Sequence, residues 1–93
     1  MRVEWSERKR VSNLEDHGVD FKDAALIFEG AFLEAENKRS DYGEPRYPAF
    51  GRVGDDYLMI AYTWRHEARC IISAWRVDDE GMRRYEATLA RSS

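Results

Sequence analysis

Two strand-like runs near the carboxy terminus, Tyr57–Trp64 and Cys70–Val77, constrain the fold more than any other part of the chain. In the first, Leu58, Ile60, Tyr62 and Trp64 alternate with Tyr57, Met59, Ala61 and Thr63. In the second, Cys70, Ile72, Ala74 and Arg76 alternate with Ile71, Ser73, Trp75 and Val77. Strands that are largely apolar on both faces belong in the middle of a sheet, with helices against one side. Only the polar Arg65-His66-Glu67-Ala68 divides them, and so short a separator favours antiparallel neighbours.

The remaining elements follow from caps and periodicity. Ser6 is placed to cap a helix running to about His17, with Val11 and Leu14 as a thin apolar stripe and Gly18 as its stop. Asp20 can cap a second helix, whose Phe21, Ala24, Ala25 and Phe28 form a core-facing stripe ending at Gly30. Further strands are predicted over Phe32–Asn37 and Tyr47–Arg52, separated by the turn-rich Ser40-Asp41-Tyr42-Gly43-Glu44-Pro45. Pro48 cannot donate to a ladder and pushes its strand toward an edge or a late start. Gly54-Asp55-Asp56 separates that strand from the next, and Asp78 or Asp79 caps a last helix with Met82, Tyr85 and Leu89 facing inward. The expected fold class is α+β: two N-terminal helices, a four-stranded mainly antiparallel sheet, and a C-terminal helix.

Ninety-three residues, 43% of them hydrophobic, suffice for a single domain, 1–93, around one core. No apolar run approaches the ~20 residues of a membrane span, and the start Met1-Arg2-Val3-Glu4-Trp5 is no signal segment, so no membrane partner and a cytoplasmic location are expected. Cys70 is the sole cysteine and reads as a small buried hydrophobe. His17 reads as a helix-end cap, and Trp64 and Trp75 read as core rather than as platforms for a base or a partner.

The net charge of −3 argues against a strong grip on nucleic acid, but its distribution is uneven. Residues 1–44 carry 7 basic and 11 acidic side chains, whereas residues 45–93 carry 8 basic and 7 acidic ones, every one of those cations an arginine. Arginines in that half can present planar donor forks to phosphates. No glycine-rich phosphate loop, metal-ligand spacing or nucleophile turn is present, and no cofactor or metal is expected.

The ordered set Trp5, Glu7, Asn13, His17-Gly18-Val19, Phe21, Phe28, Asp41-Tyr42-Gly43-Glu44, Arg46, Gly51, Tyr62-Thr63, Arg65, Ile71-Ile72-Ser73-Ala74 and Tyr85 resembles the BrnT-type toxins over about eighty residues. The resemblance implies a compact fold similar to the RelE group of ribonuclease toxins. It also implies a toxin that cuts RNA without a metal and blocks translation, neutralised by a small BrnA-like antitoxin. The antitoxin's ribbon-helix-helix part would bind DNA, so DNA is met only through the complex. An alternative is a catalytically weakened domain kept as a protein-interaction module.

Under this resemblance the 2′-hydroxyl is the nucleophile, and cations gather round the phosphate. Arg46, Arg65 and Arg76 are the expected phosphate contacts, and Glu44, Glu67 or His66 the expected proton-transfer group. Lys9, Arg52, Arg69 and His66 are expected to bind RNA. Three departures stand against the pattern: Cys70 and Trp75 occupy positions where the family carries arginine, and Asp16 one where it carries a basic residue.

Overall fold

A computed structural model describes residues 2–34 and 45–92, without the side chains of Leu89 and Ser92. The described chain runs β1 (Val3–Trp5), α1 (Glu7–His17), α2 (Phe21–Ala24) with a 3₁₀ turn (Ala25–Glu29), β2 (Phe32–Glu34), β3 (Tyr47–Val53), β4 (Asp56–Arg65), β5 (Ala68–Arg76) and α3 (Asp79–Ser92). Five strands form one mixed sheet in the order β1-β5-β4-β3-β2. The expectation of four strands is therefore corrected. Val3–Trp5 adds a fifth, parallel to β5, with Val3, Glu4 and Trp5 opposite Arg69, Cys70 and Ile71. Three residues are too few to show a period of two, and a parallel partner so far along the chain leaves no local signal. The rest of the Phe32–Asn37 strand, the turn at 40–44 and the inward placement of Leu89 lie outside the described residues.

The helix boundaries follow the caps. Ser6 Oγ accepts from Lys9 N–H at 3.4 Å, and Gly18 adopts φ 69° while its N–H donates to the Leu14 carbonyl at 3.0 Å. Asp20 Oδ1 accepts from Lys22 N–H at 2.9 Å. The second helix is one α-turn continued as 3₁₀, not a continuous α-helix. The tighter winding buries Ile27 as well as Phe21, Ala24 and Phe28, while Ala25 is only half-buried. Gly51 of β3 makes room for this layer, since a Cβ there would meet Ile27 Cβ at 2.8 Å. Pro48, second in β3, lies opposite Ala61, one residue before Ala49, which pairs with Glu34 at the limit of the described β2. Asp78 Oδ1 accepts from Gly81 N–H at 2.9 Å, which sets the start of α3.

One irregularity decides which residues share a face. Along β4–β5, Ala61 lies opposite Ser73 but Tyr62 lies opposite Ile71, so Ile72 is an extra residue in β5. Such a bulge reverses the alternation on either side of it. Arg69, Ile71, Ala74 and Arg76 therefore share the face covered by α1 and α2, and Ile71 and Ala74 are both fully buried there with Leu58, Ile60 and Tyr62. Plain alternation would have put Ile71 and Ala74 on opposite sides. Cys70, Ser73 and Trp75 share the other face with Thr63, Ala61 and Met59.

Buried Asn13 fastens α1 to the sheet where β1 has ended. Its Nδ2 donates to the carbonyls of Ala74 (2.8 Å) and Val19 (2.9 Å), and its Oδ1 accepts from Ala74 N–H (3.1 Å). One side-chain amide thus does for Ala74 what a neighbouring strand would do. No helix among the described residues is long and apolar enough to cross a membrane.

Candidate functional site

The second face of the sheet is covered unevenly. At the β3–β4 hairpin end, α3 lays Tyr85 across Phe50 and Tyr57, at ring-centroid distances of 5.0 and 5.8 Å. Tyr85 donates to the Ala31 carbonyl at 2.5 Å, and Tyr57 to Glu86 Oε1 at 2.6 Å. Toward β5 lie Cys70 and Ser73, both half-buried, and Trp75, which is 37% exposed. This strip of sheet is the candidate site.

One end of the strip carries Arg65, and the segment of a second expected arginine, Arg46, is tied to that end. Arg65 closes β4 on the same face as Thr63, and its Nη1 donates toward Cys70 Sγ at 3.8 Å. Thr63, 2% exposed, lies opposite Cys70 and donates from Oγ1 to the Pro45 carbonyl at 2.8 Å. That bond anchors the segment from which half-buried Arg46 projects into β3. His66 and Glu67 form the two-residue turn directly after Arg65, both exposed and both at positive φ (50° and 67°). Glu44, one of the three residues expected to transfer the proton, lies outside the described residues.

Arg76 is elsewhere. It sits at the far end of β5 on the helix-covered face, with Nη1 3.5 Å from the Gly18 carbonyl and Nε 3.6 Å from Asp56 Oδ1. Five or more strand residues separate it from Cys70, on the order of 15–20 Å, so it cannot share one phosphate with Arg46 and Arg65. It lines a shallow groove at the sheet edge with Asp16, His17, Ser73 and Trp75. Lys9 lines an adjoining groove with Ser12, Asn13 and Ile72. Arg52 is tied to its own hairpin, Nε donating to the Gly54 carbonyl at 2.6 Å with the guanidinium 5.8 Å from the Tyr57 ring.

Arg69, expected at an RNA surface, is 6% exposed and belongs to the interior. Its guanidinium lies 4.6–5.5 Å from the ring centres of Trp64, Phe28, Tyr62 and Phe32, and Nη2 meets both Glu34 oxygens at 3.0 and 2.9 Å. Tyr62 also donates to Glu34 Oε2. Burial, helped by that bond and opposed by Arg69, pushes the Tyr62 hydroxyl up to about 12. A salt bridge whose buried arginine sits among four rings, and whose carboxylate is one-third exposed, joins β2 to β4 and β5.

Three readings of single residues change with the structure. His17 does not cap α1: Gly18 closes the helix, and the imidazole lies against the Trp75 ring instead. Trp64 (44% exposed) and Trp75 (37%) are surface rings rather than core. The bulge at Ile72 puts Cys70 and Trp75 on one face, although five residues of regular strand would have parted them. Among the described residues, no three His, Cys, Asp or Glu side chains converge as metal ligands.

The family described as "Ribonuclease toxin, BrnT, of type II toxin–antitoxin system" matches residues 5–80. Among solved structures, the crystal structure of the Brucella abortus ribonuclease toxin BrnT aligns with a TM-score of 0.63 at 24% identity, covering 85% of this chain and 99% of that one. At that identity the likeness is one of fold. No curated protein matches the chain.

Proposed function

We propose, from the premise that the chain belongs to the BrnT family of ribonuclease toxins of type II toxin–antitoxin systems, that it cleaves RNA on the open strip of its sheet and is held inactive there by a cognate antitoxin. The observation that carries this reading is a strip of sheet, left open among the described residues, that bears Cys70, Ser73 and Trp75, ends at Arg65 and has the segment of Arg46 tied to it through Thr63.

The chemistry needs little machinery. A base removes the proton of a ribose 2′-hydroxyl, and the 2′-oxygen attacks the adjacent phosphorus. An acid returns a proton to the departing 5′-oxygen, leaving a 2′,3′-cyclic phosphate and a 5′-hydroxyl. The required 2′-hydroxyl confines the activity to RNA. Arg46 and Arg65 stabilise the charge gathering on the non-bridging oxygens, each with a planar fork that a lysine lacks. Proton transfer falls to Glu44 or to the His66–Glu67 turn that adjoins Arg65. None of these steps draws on a metal ion. Cutting messenger RNA would block translation. A BrnA-like antitoxin with a ribbon-helix-helix part would then cover this face and carry the DNA contacts of the complex.

Induction of the chain alone in a bacterial host, followed by growth and total RNA integrity, tests the reading. Arrest with RNA breakdown is expected, relieved by the antitoxin and abolished by Arg46→Ala with Arg65→Ala. Arg76→Ala should leave cleavage in place, since that residue is remote from the pair. Normal growth with intact RNA at confirmed soluble expression would overturn the reading and favour an inactive interaction module.

A further inference from the structure

The edge groove between the carboxy end of α1 and β5 carries two aromatic rings that no step above uses. Trp75 stands 37% exposed on the open face, and exposed His17 faces it with ring centroids 6.3 Å apart and planes inclined at 44°. That separation lies within the ~4.5–7 Å of tilted aromatic contacts, wider than face-to-face stacking. It is close to the ~7 Å that two rings need to hold one base between them, twice the ~3.4 Å spacing of stacked bases. The inclination opens the pair as a jaw rather than closing it as a stack. Ser73 and Arg76 line the same groove, and Lys9 lines the adjoining one. Ser73 and Lys9 contribute donors at its rim, while Asp16 contributes an acceptor able to take a base's exocyclic amine.

We infer that His17 and Trp75 form a clamp for one unstacked base of a single-stranded RNA, with Trp75 on the face of Arg65 and about 15 Å from it along β5. This deepens the ribonuclease reading and rests on it for the identity of the ligand. Stacking answers the shortage of charge: a chain of net charge −3 gains little from phosphate contacts alone. A ring holds any base through its π-face and does so at modest cost in charge. The clamp would position the strand, and it takes no part in proton transfer.

The probe is a 2′-O-methyl hexanucleotide, which cannot be cleaved, titrated against the full chain by anisotropy, with cleavage of the unmodified hexamer measured alongside. Trp75→Ala should weaken binding about 5- to 150-fold, the effect of losing one base–aromatic stack. Trp75→Phe and His17→Phe, which keep a ring, should bind within a few-fold of the parent. An exposed ring can be removed without unfolding the chain, and thermal melts of each variant check this. Binding that depends on Trp75 without any cleavage would uphold the clamp while refuting the nuclease. Cleavage and binding indifferent to Trp75→Ala would overturn the clamp and leave the nuclease standing. Failure of the parent to bind the hexamer overturns the clamp. So does a Trp75→Ala change that impairs only antitoxin capture, which would make this groove a protein-docking face.

Discussion

Replacing Asn13 with alanine should destabilise the protein by about 3 kcal/mol. The side chain is buried and makes three hydrogen bonds of 2.8–3.1 Å, to both backbone groups of Ala74 and to the Val19 carbonyl. Each such bond contributes about 1 kcal/mol, and leaving a buried backbone group unpaired costs about 1–3 kcal/mol unless water enters. Against a total of 5–15 kcal/mol for a domain this size, the loss should move the urea midpoint down by about 2 M. Asn13→Asp sharpens the test because its shape is nearly the same. A carboxylate keeps the bond from Ala74 N–H but sets a negative oxygen against two carbonyls, so its folded pKa should rise above the ordinary ~3.9. The sign follows: a neutral acid fits the fold better, so the penalty is absent below about pH 4. It grows as pH rises from there and levels off above the raised folded value. Urea midpoints at pH 4 and pH 7 measure both effects. A loss under 1 kcal/mol for Asn13→Ala, or an Asn13→Asp variant as stable as the parent at pH 7, would refute the view that this amide stands in for a strand.

Other expectations follow from the same geometry. Arg69→Ala removes a buried cation from among four rings and leaves the one-third-exposed Glu34 unpaired, and should destabilise by about 2 kcal/mol, while Arg69→Lys, losing the fork and its stacking, should fall between the two in urea unfolding. Glu67→Gly relieves a positive φ of 67° in the β4–β5 turn and should raise stability by up to ~1 kcal/mol in the same assay. Because burial first, and the bond to Glu34 second, hold the Tyr62 hydroxyl up to about 12, the fold favours its protonated form. Its contribution is complete below pH 10 and lost between pH 10 and about 12, so Tyr62→Phe should flatten the alkaline decline in melting temperature across that window.

Local chemistry was readable, and long-range chemistry was not. Ser6, Gly18 and Asp20 announce the helix ends because caps act within three residues. The central place of β4 and β5 is legible from their two apolar faces. β1 is hidden by its length and its distant parallel partner. The bulge is hidden because Ile71-Ile72-Ser73 contains no glycine to mark it, yet it alone decides that Cys70 and Trp75 share a face. Arg69 and Glu34 look like surface charges because their pairing spans 35 residues. The His66–Glu67 turn lacks the Asn-Gly pair that usually betrays such loops, so the separator reads longer than it is. Of the arginines, Arg46 and Arg65 lie at the adjoining ends of β3 and β4, as a meander dictates, whereas the place of Arg76 depends on the unreadable bulge.

The most direct test of the central claim is cleavage by the purified chain, in EDTA, of a short RNA and of the same RNA with single 2′-deoxy substitutions. Cleavage is expected to leave 2′,3′-cyclic phosphate ends, to vanish where the 2′-hydroxyl 5′ to the cut is removed, and to fall about 10²–10³-fold for each of Arg46→Ala and Arg65→Ala. Cleavage that persists at deoxy positions, or that is untouched by both arginine changes, would contradict the account.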